Sequence, residues 1–190
     1  MKIIDAHCHI FPDKVAKYAT RSIQEFYNIP ETTYYGTVSE LVEQCNESAV
    51  DKCVVSMLAT TPMQPQKLNE HLLELTEISP EKLIPLASLH PLSKTLEEDF
   101  YHLLNFDFKG IKLHPDMQGC KADCDGYKKI YDLCAQNHLP ILLHTGDSRY
   151  DNSNPDRIEK ILKEFPELII IGAHFGGWSV WEEATEKLYK

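Results

Sequence analysis

The sequence predicts an α/β fold, a (β/α)8 TIM barrel of which these residues supply six of the eight βα units. Three observations carry this expectation. Strand-like and helix-like segments alternate six times, the mark of parallel strands joined by helical crossovers. No Gly-x-Gly-x-x-Gly follows the first strand, which removes the usual dinucleotide-binding reason for an open doubly wound sheet. Five strands end in histidine: His9 (with His7), His90, His114, His144 and His174. Side chains at the C-terminal ends of barrel strands gather at the rim, where active sites of this architecture lie. Chance would scatter histidines over helices and both strand faces. His71, His102 and His138 do fall on helices or loops and are assigned no role.

In chain order, residues 3–10 form the first strand. Ile3, Asp5, His7 and His9 share one face, and Ile4, Ala6, Cys8 and Ile10 the other. Same-face neighbours lie about 6–7 Å apart, so one strand can present two imidazoles to one metal ion. Residues 11–36 are rich in aromatics without clean periodicity, and no element is assigned there. Thr37-x-x-Glu40 is a capping box opening a helix with Val38, Leu41, Val42, Cys45 and Ala49 on one stripe. Residues 52–58 read as a buried strand and 66–78 as a helix with Leu68, Leu72 and Leu75 inward. Residues 83–89 are the next strand, and Leu96, Phe100, Leu103 and Leu104 mark a helix. Residues 110–114 form a strand stopped by Pro115, and Asp123 or Asp125 caps a helix bearing Tyr127, Ile130, Tyr131 and Cys134. Residues 140–144 are a strand. Asn154-Pro155 opens a helix with proline at its first position, striped by Ile158, Ile161, Leu162 and Phe165. Residues 168–174 are the last strand, and Ser179-x-x-Glu182 caps a helix bearing Trp181, Ala184 and Leu188. Strand parity puts Lys112 and His114 opposite Ile111 and Leu113, and Leu142 and His144 opposite Ile141 and Leu143. On the sixth strand it sets Ile170, Gly172 and His174 against Ile169, Ile171 and Ala173.

The 190 residues suffice for one well-buried domain, read as 1–190, and 43% hydrophobic residues is ordinary for a globular protein. A formal net charge of −10 argues against a general binder of nucleic acid or of anionic membranes. No apolar run approaches the roughly 20 residues of a membrane span, and the N-terminus has no signal-peptide pattern. The six cysteines follow no small-secreted-domain pattern, which reads as reduced thiols and a cytoplasmic location. Cys120 and Cys124 lack the second pair that a structural zinc site needs. The expected partner is a small-molecule substrate, with no nucleic acid and no membrane.

A ring of imidazoles facing one axis is the chemistry of a divalent metal, with zinc the commonest hydrolytic choice and manganese or iron as alternatives. Such a metal lowers the pKa of water to near 7, and a further histidine can move the proton. His90 and His114 each sit in Leu-His-Pro, where the histidine serves the site or the proline merely ends the strand. His114 is nevertheless a substrate-binding candidate. So is Arg149, whose guanidinium in the polar loop 145–154 offers a bidentate fork to a carboxylate. Trp178, just after Gly176-Gly177, is a third: it walls the pocket or packs the last helix.

Taken together, Ile4-Asp5-Ala6-His7-Cys8-His9-Ile10-Phe11, Gly110-Ile111-Lys112-Leu113-His114-Pro115, Pro140-Ile141-Leu142-Leu143-His144 and Ile171-Gly172-Ala173-His174-Phe175-Gly176-Gly177 resemble the amidohydrolase superfamily. The nearest branch is the amidohydrolase-related group of metal-dependent hydrolases and aminocarboxymuconate-semialdehyde-type decarboxylases. The resemblance implies a distorted TIM barrel, one divalent metal ion on His7, His9 and His144, and His174 as the catalytic histidine. It implies a hydrolase that uses metal-activated water, or alternatively a non-oxidative decarboxylase of an unsaturated or aromatic acid. Asp5 is expected as a supporting residue. Lys112 is either a carboxylated bridge between two metals or a buried ion-pair partner of Asp5. Members of the family supply a further aspartate from strand eight, and no residue here corresponds to it. A third expectation is therefore an incompetent fragment lacking strands seven and eight, poorly stable, aggregating, or associating as a homo-oligomer through the open side.

Overall fold

Six short parallel strands lie side by side in chain order: β1 (Ile4–His9), β2 (Lys52–Ser56), β3 (Leu83–Ser88), β4 (Ile111–Leu113), β5 (Ile141–Leu143) and β6 (Ile170–Gly172). The computed structural model describes residues 1–189. A strand order that never reverses winds every crossover the same way round, as in a barrel; a doubly wound sheet reverses at its switch point. Among the described residues β1 and β6 are not paired. The sheet nonetheless curls enough to bring the rings of His7, on β1, and His174, beyond β6, within 5.1 Å of each other.

The helices are α1 (Asp13–Tyr27), α2 (Val38–Glu47), α3 (Pro65–Thr76), α4 (Leu96–Leu103), α5 (Pro115–Gln118), α6 (Asp125–Gln136), α7 (Pro155–Glu164) and α8 (Trp181–Leu188). α2, α3, α4, α6, α7 and α8 pack on the outer face of the sheet, while α1 and α5 lie at the strands' C-terminal ends. Val55, Ala87, Ile111, Leu113, Ile141 and Leu143 from the strands join Leu72, Phe100, Tyr131 and Ile158 from the helices in one core. The inner face is filled by a smaller layer of Val54, Leu86, Leu142 and Ala173. At the open side this inner face meets water: Ile4, Ile169 and Ile171 are all exposed. No helix among the described residues is long and apolar enough to cross a membrane.

The capping box forms as its sequence dictates. Thr37 Oγ1 accepts from the Glu40 backbone N–H at 3.3 Å, and the Glu40 carboxylate accepts from the Thr37 N–H at 3.0 Å. These bonds hold the Glu40 carboxyl below its usual range. Other helix starts differ from expectation. Neither Asp123 nor Asp125 caps α6, which follows Cys124 with no side-chain cap; Asp123 is instead ion-paired to Arg157 at 2.6 Å. Ser179 does not cap α8, which starts one residue later, at Trp181; its hydroxyl accepts from Ser148 N at 2.8 Å.

Three further differences bear on the site. The stretch left unassigned contains α1, whose buried positions are Ala16 and Gln24. A small and a polar residue on the inner stripe hide the helical period. On β1 a bulge sets Ala6 and His7 against the single residue Val54, since Asp5 pairs with Cys53 and Cys8 with Val55. The extra residue flips parity, so Asp5 shares the outer face and approaches the Cys8 thiol rather than Lys112. On β6 the register pairs Ile170 with Ile141 and Ile171 with Leu142. Ile170 therefore faces the helices and Ala173 joins the inner layer, opposite to the parity expected.

Thr37→Ala should cost about 1 kcal/mol in urea unfolding. Gly126→Ala should cost more, because its Cβ would stand 2.0 Å from the Pro91 carbonyl oxygen and α6 must move. Equal midpoints for the two variants would contradict this packing.

Candidate metal centre

The polar groups of the barrel mouth come from strand ends and from the turns just beyond them. The β1 bulge sends His7 and His9 inward, with ring centroids 5.1 Å apart. His9 Nδ1 lies 3.4 Å from Ser56 Oγ at the end of β2. Lys112 on β4 is fully buried, and its Nζ is 3.0 Å from His7 Nε2. His114 stands just past β4 as the N-cap of α5: Pro115 both ends the strand and starts the helix. His144, just past β5, stacks on His114 with centroids 3.8 Å apart and rings within 7° of parallel.

His174 reaches the axis by a different route. Following the parity of β6, its side chain would point outward. Instead His174 and Phe175 adopt left-handed backbone, both at φ 55°, and the chain turns back. The His174 ring then lies 5.0 Å from His144 and 4.9 Å from Trp178. Its carbonyl accepts from Trp181 Nε1 at 3.0 Å. His90 stays apart: it is buried, and its Nδ1 accepts from the Leu92 backbone N–H at 3.2 Å, capping its own turn.

Burial decides the charge of this cluster. It pushes the His7 and His144 pKa values down to about 2, His9 to about 3 and His174 to about 4, with the Lys112 amine beside them as the next cause for each. His114 is held well below its ordinary value, again chiefly by burial. Burial lowers Lys112 to about 7. Neutral imidazoles keep their lone pairs, which is the form a metal ion requires. The donor chemistry thus fits a divalent ion. One group among the described residues has its ligand atoms all within 4.8 Å: His114, Asp116 and His144. It shares His144 with the axial cluster of His7, His9 and His174. In it, Asp116 Oδ1 and His144 Nε2 are buried without hydrogen-bond partners.

The other expected site residues are placed as follows. Trp178 walls the mouth, with its ring 4.8 Å from Tyr27 as well as against His174. The Arg149 guanidinium is committed: it grips Asp147 at 2.6 and 2.9 Å, donates to the Phe26 carbonyl, and lies over the Phe26, Tyr27 and Tyr150 rings. Two participants escaped sequence reasoning. Tyr27, at the end of α1, places its hydroxyl 2.6 Å from His114 Nε2; the spacing Ala16, Ala19, Ile23, Tyr27 is the signal that could have found it. Asp116 follows a strand-end His-Pro, and no local pattern distinguishes it from a solvated turn residue. Beside His9 and His114 opens a cavity of about 410 Å³ walled by Phe11, Ile23, Leu58 and Met117.

The amidohydrolase family model matches residues 4–190. No curated protein sequence matches the chain. Solved structures share its fold at low identity. An uncharacterized TIM-barrel protein of Bordetella bronchiseptica is 16% identical, with TM-score 0.77, covering 100% of this chain and 72% of that one. A probable 2-pyrone-4,6-dicarboxylic acid hydrolase of Acinetobacter baumannii, with citric acid bound, is 18% identical, with TM-score 0.60, covering 93% and 59%. A 5-carboxyvanillate decarboxylase of Novosphingobium aromaticivorans, complexed with manganese and 4-hydroxy-3-methoxy-5-nitrobenzoic acid, is 13% identical, with TM-score 0.68, covering 92% and 65%. The chain thus spans 59–72% of these three structures.

The depressed pKa values set a direction for stability. Between about 7 and the ordinary lysine value of 10.5 the unfolded chain holds a proton that buried Lys112 lacks. Stability therefore rises with pH through that window and is lost as pH falls toward 7; the histidines act likewise below 6.5. Lys112→Met should raise the melting temperature of chelator-treated protein at pH 7, with an advantage that shrinks toward pH 10.5. A gap independent of pH would contradict a neutral buried amine.

Proposed function

The chain belongs to the amidohydrolase family, and from that premise we propose that it is a metal-dependent hydrolase of small organic molecules. His7, His9 and His144 hold one divalent ion, zinc by donor type, with manganese or iron as alternatives. The observation that carries this reading is the convergence of neutral imidazoles, His144 buried and His7, His9 and His174 half-buried, from the ends of β1, β5 and β6 on one axis. Bound there, the ion supplies Lewis acidity and brings the pKa of water near 7.

The chain's own groups supply the rest. His174 is neutral at pH 7 and half-buried, so it accepts a proton rather than delivering a standing charge. Trp178 and the Trp181 bond to its carbonyl hold its turn in place. Substrate occupies the cavity between α1 and the rim, which His9, His114 and Tyr27 line beside largely apolar walls. Arg149 takes a substrate carboxylate only where its pair with Asp147 opens. Citrate and a nitrobenzoate bound in the similar folds support a small carboxylate as substrate.

Decarboxylation of an aromatic or unsaturated acid is the second reading. The apolar walls favour it, because a carboxylate held there loses its hydration and carbon dioxide does not need it.

Elemental analysis of protein purified without chelator should find up to one divalent ion per chain, and His7→Ala with His9→Ala should abolish it. Unchanged metal content in that double variant overturns the ligand assignment. His174→Asn should keep metal and melting temperature while losing at least about 100-fold in turnover. A screen of aromatic and dicarboxylic acids and their lactones and amides, read for carbon dioxide and for hydrolysis products, separates the two chemistries. Metal-loaded protein inert on every member would support a chain that binds metal without turnover.

A further inference from the structure

We propose that Asp116 is a positioning residue for His144, holding the ring proton on Nε2 so that Nδ1 faces the metal. The inference deepens the reading in which His144 is a ligand, and it starts from hydrogen bonds that can be directed one after another. The backbone N–H of Met117 donates to His114 Nδ1 at 3.2 Å. That nitrogen therefore carries the lone pair, and the proton of the neutral ring sits on Nε2. His114 Nε2 lies 2.6 Å from Tyr27 Oη, so the phenol accepts there and its own hydrogen is free. The acceptor within its reach is His144 Nδ1, 3.4 Å away. Nδ1 of His144 thus presents a lone pair, and the proton of that ring belongs to Nε2.

This N–H has no hydrogen-bond partner, and it faces the one buried carboxylate among the described residues with an oxygen that lacks a donor. Asp116 Oδ2 lies 3.5 Å from His144 Nε2, and neither side chain has any exposed surface. Asp116 Oδ1 and His144 Nε2 are two of only three buried side-chain atoms without a partner among the described residues. Ser153 Oγ donates to Asp116 Oδ2 at 2.6 Å and anchors the carboxylate.

The same bonds sort out the compact trio. Both ring nitrogens of His114 are engaged, so His114 is not offered to a metal. His144 Nδ1 has only a long contact with Tyr27 to give up. A metal-binding histidine whose second nitrogen donates to a carboxylate has its tautomer selected and its basicity raised, and losing that carboxylate costs about 10–100-fold in affinity.

Long-range proton–nitrogen correlation spectra of histidine-labelled, metal-free protein test this, with His144→Gln assigning the signal. His144 is expected as the Nε2–H tautomer in the parent and as a mixture in Asp116→Asn. Zinc affinity, measured by competition with a chromogenic chelator, is expected to fall about 10–100-fold in Asp116→Asn. A parent ring protonated on Nδ1, or an Asp116→Asn protein with tautomer and affinity unchanged, overturns the proposal. Should Asp116→Asn not fold, Tyr27→Phe decides. His144 should remain Nε2–H there, because the Asp116 carboxylate suffices to hold that proton once the Tyr27 hydroxyl is gone, and a switch to Nδ1–H overturns the proposal. If His114→Gln weakens zinc as much as His144→Gln does while His7→Ala changes nothing, Asp116 is itself a ligand and the proposal falls. Zinc binding untouched by His144→Gln removes the ligand reading instead, a result distinct from any change of tautomer.

Discussion

Lys112 lies wholly enclosed beneath the imidazoles of His7, His9, His144 and His174, and burial drives the amine and the rings toward their neutral forms. Each group raises the cost of protonating the others. The chain carries a formal charge of −10, yet the imidazoles at the mouth of its barrel are neutral and keep their lone pairs. The floor explains part of this. Leu86, Leu142 and Ala173 are buried under the polar groups with Val54 packed against them, so an apolar layer lies below the imidazoles. A cation entering the mouth meets donors that need not first lose protons.

The strands that present these groups are short, three residues each in β4, β5 and β6, so the ladder alone does little to fix their ends. Buried amides supply the missing bonds. Gln118 donates to the carbonyls of Ala59 and Leu89 and accepts from the His114 N–H and the Tyr127 hydroxyl. One side chain thereby joins the segments beyond β2, β3 and β4 to α6. Asn69 on α3 does the same for Ser88, bonding both its N–H and its carbonyl. Each of these backbone groups would otherwise be a buried polar atom without a partner, at a cost of about 1–3 kcal/mol apiece.

The last turn stores strain for a purpose of position. Two consecutive non-glycine residues in left-handed backbone cost on the order of 1–3 kcal/mol each. Phe175 spends that conformation fully exposed, whereas His174 gains the axis by it. The turn fits only because glycines let backbones touch: a Cβ at Gly146 would stand 2.5 Å from Gly177 Cα. The loop after β5 and the turn after β6 therefore hold each other, through Trp178 N to the Thr145 carbonyl and Ser179 N to the Gly146 carbonyl.

The order of elements, the capping box at Thr37 and Glu40, and histidines at strand ends were legible in the residues themselves, because each depends on local period or on neighbours a few positions away. Parity failed where one residue changed the count: the bulge at Ala6 and His7 turned Asp5 outward, and β6 sat one step from the face expected. The helix ending in Tyr27 was hidden because small and polar residues on its inner stripe carry no hydrophobic period. Sequence alone thus determined that histidines stand at the ends of the strands. Only the tertiary structure decided what they meet, since Tyr27 and His144 lie 117 positions apart and their hydrogen bond depends on how a helix packs across the rim, not on anything either residue's neighbours specify.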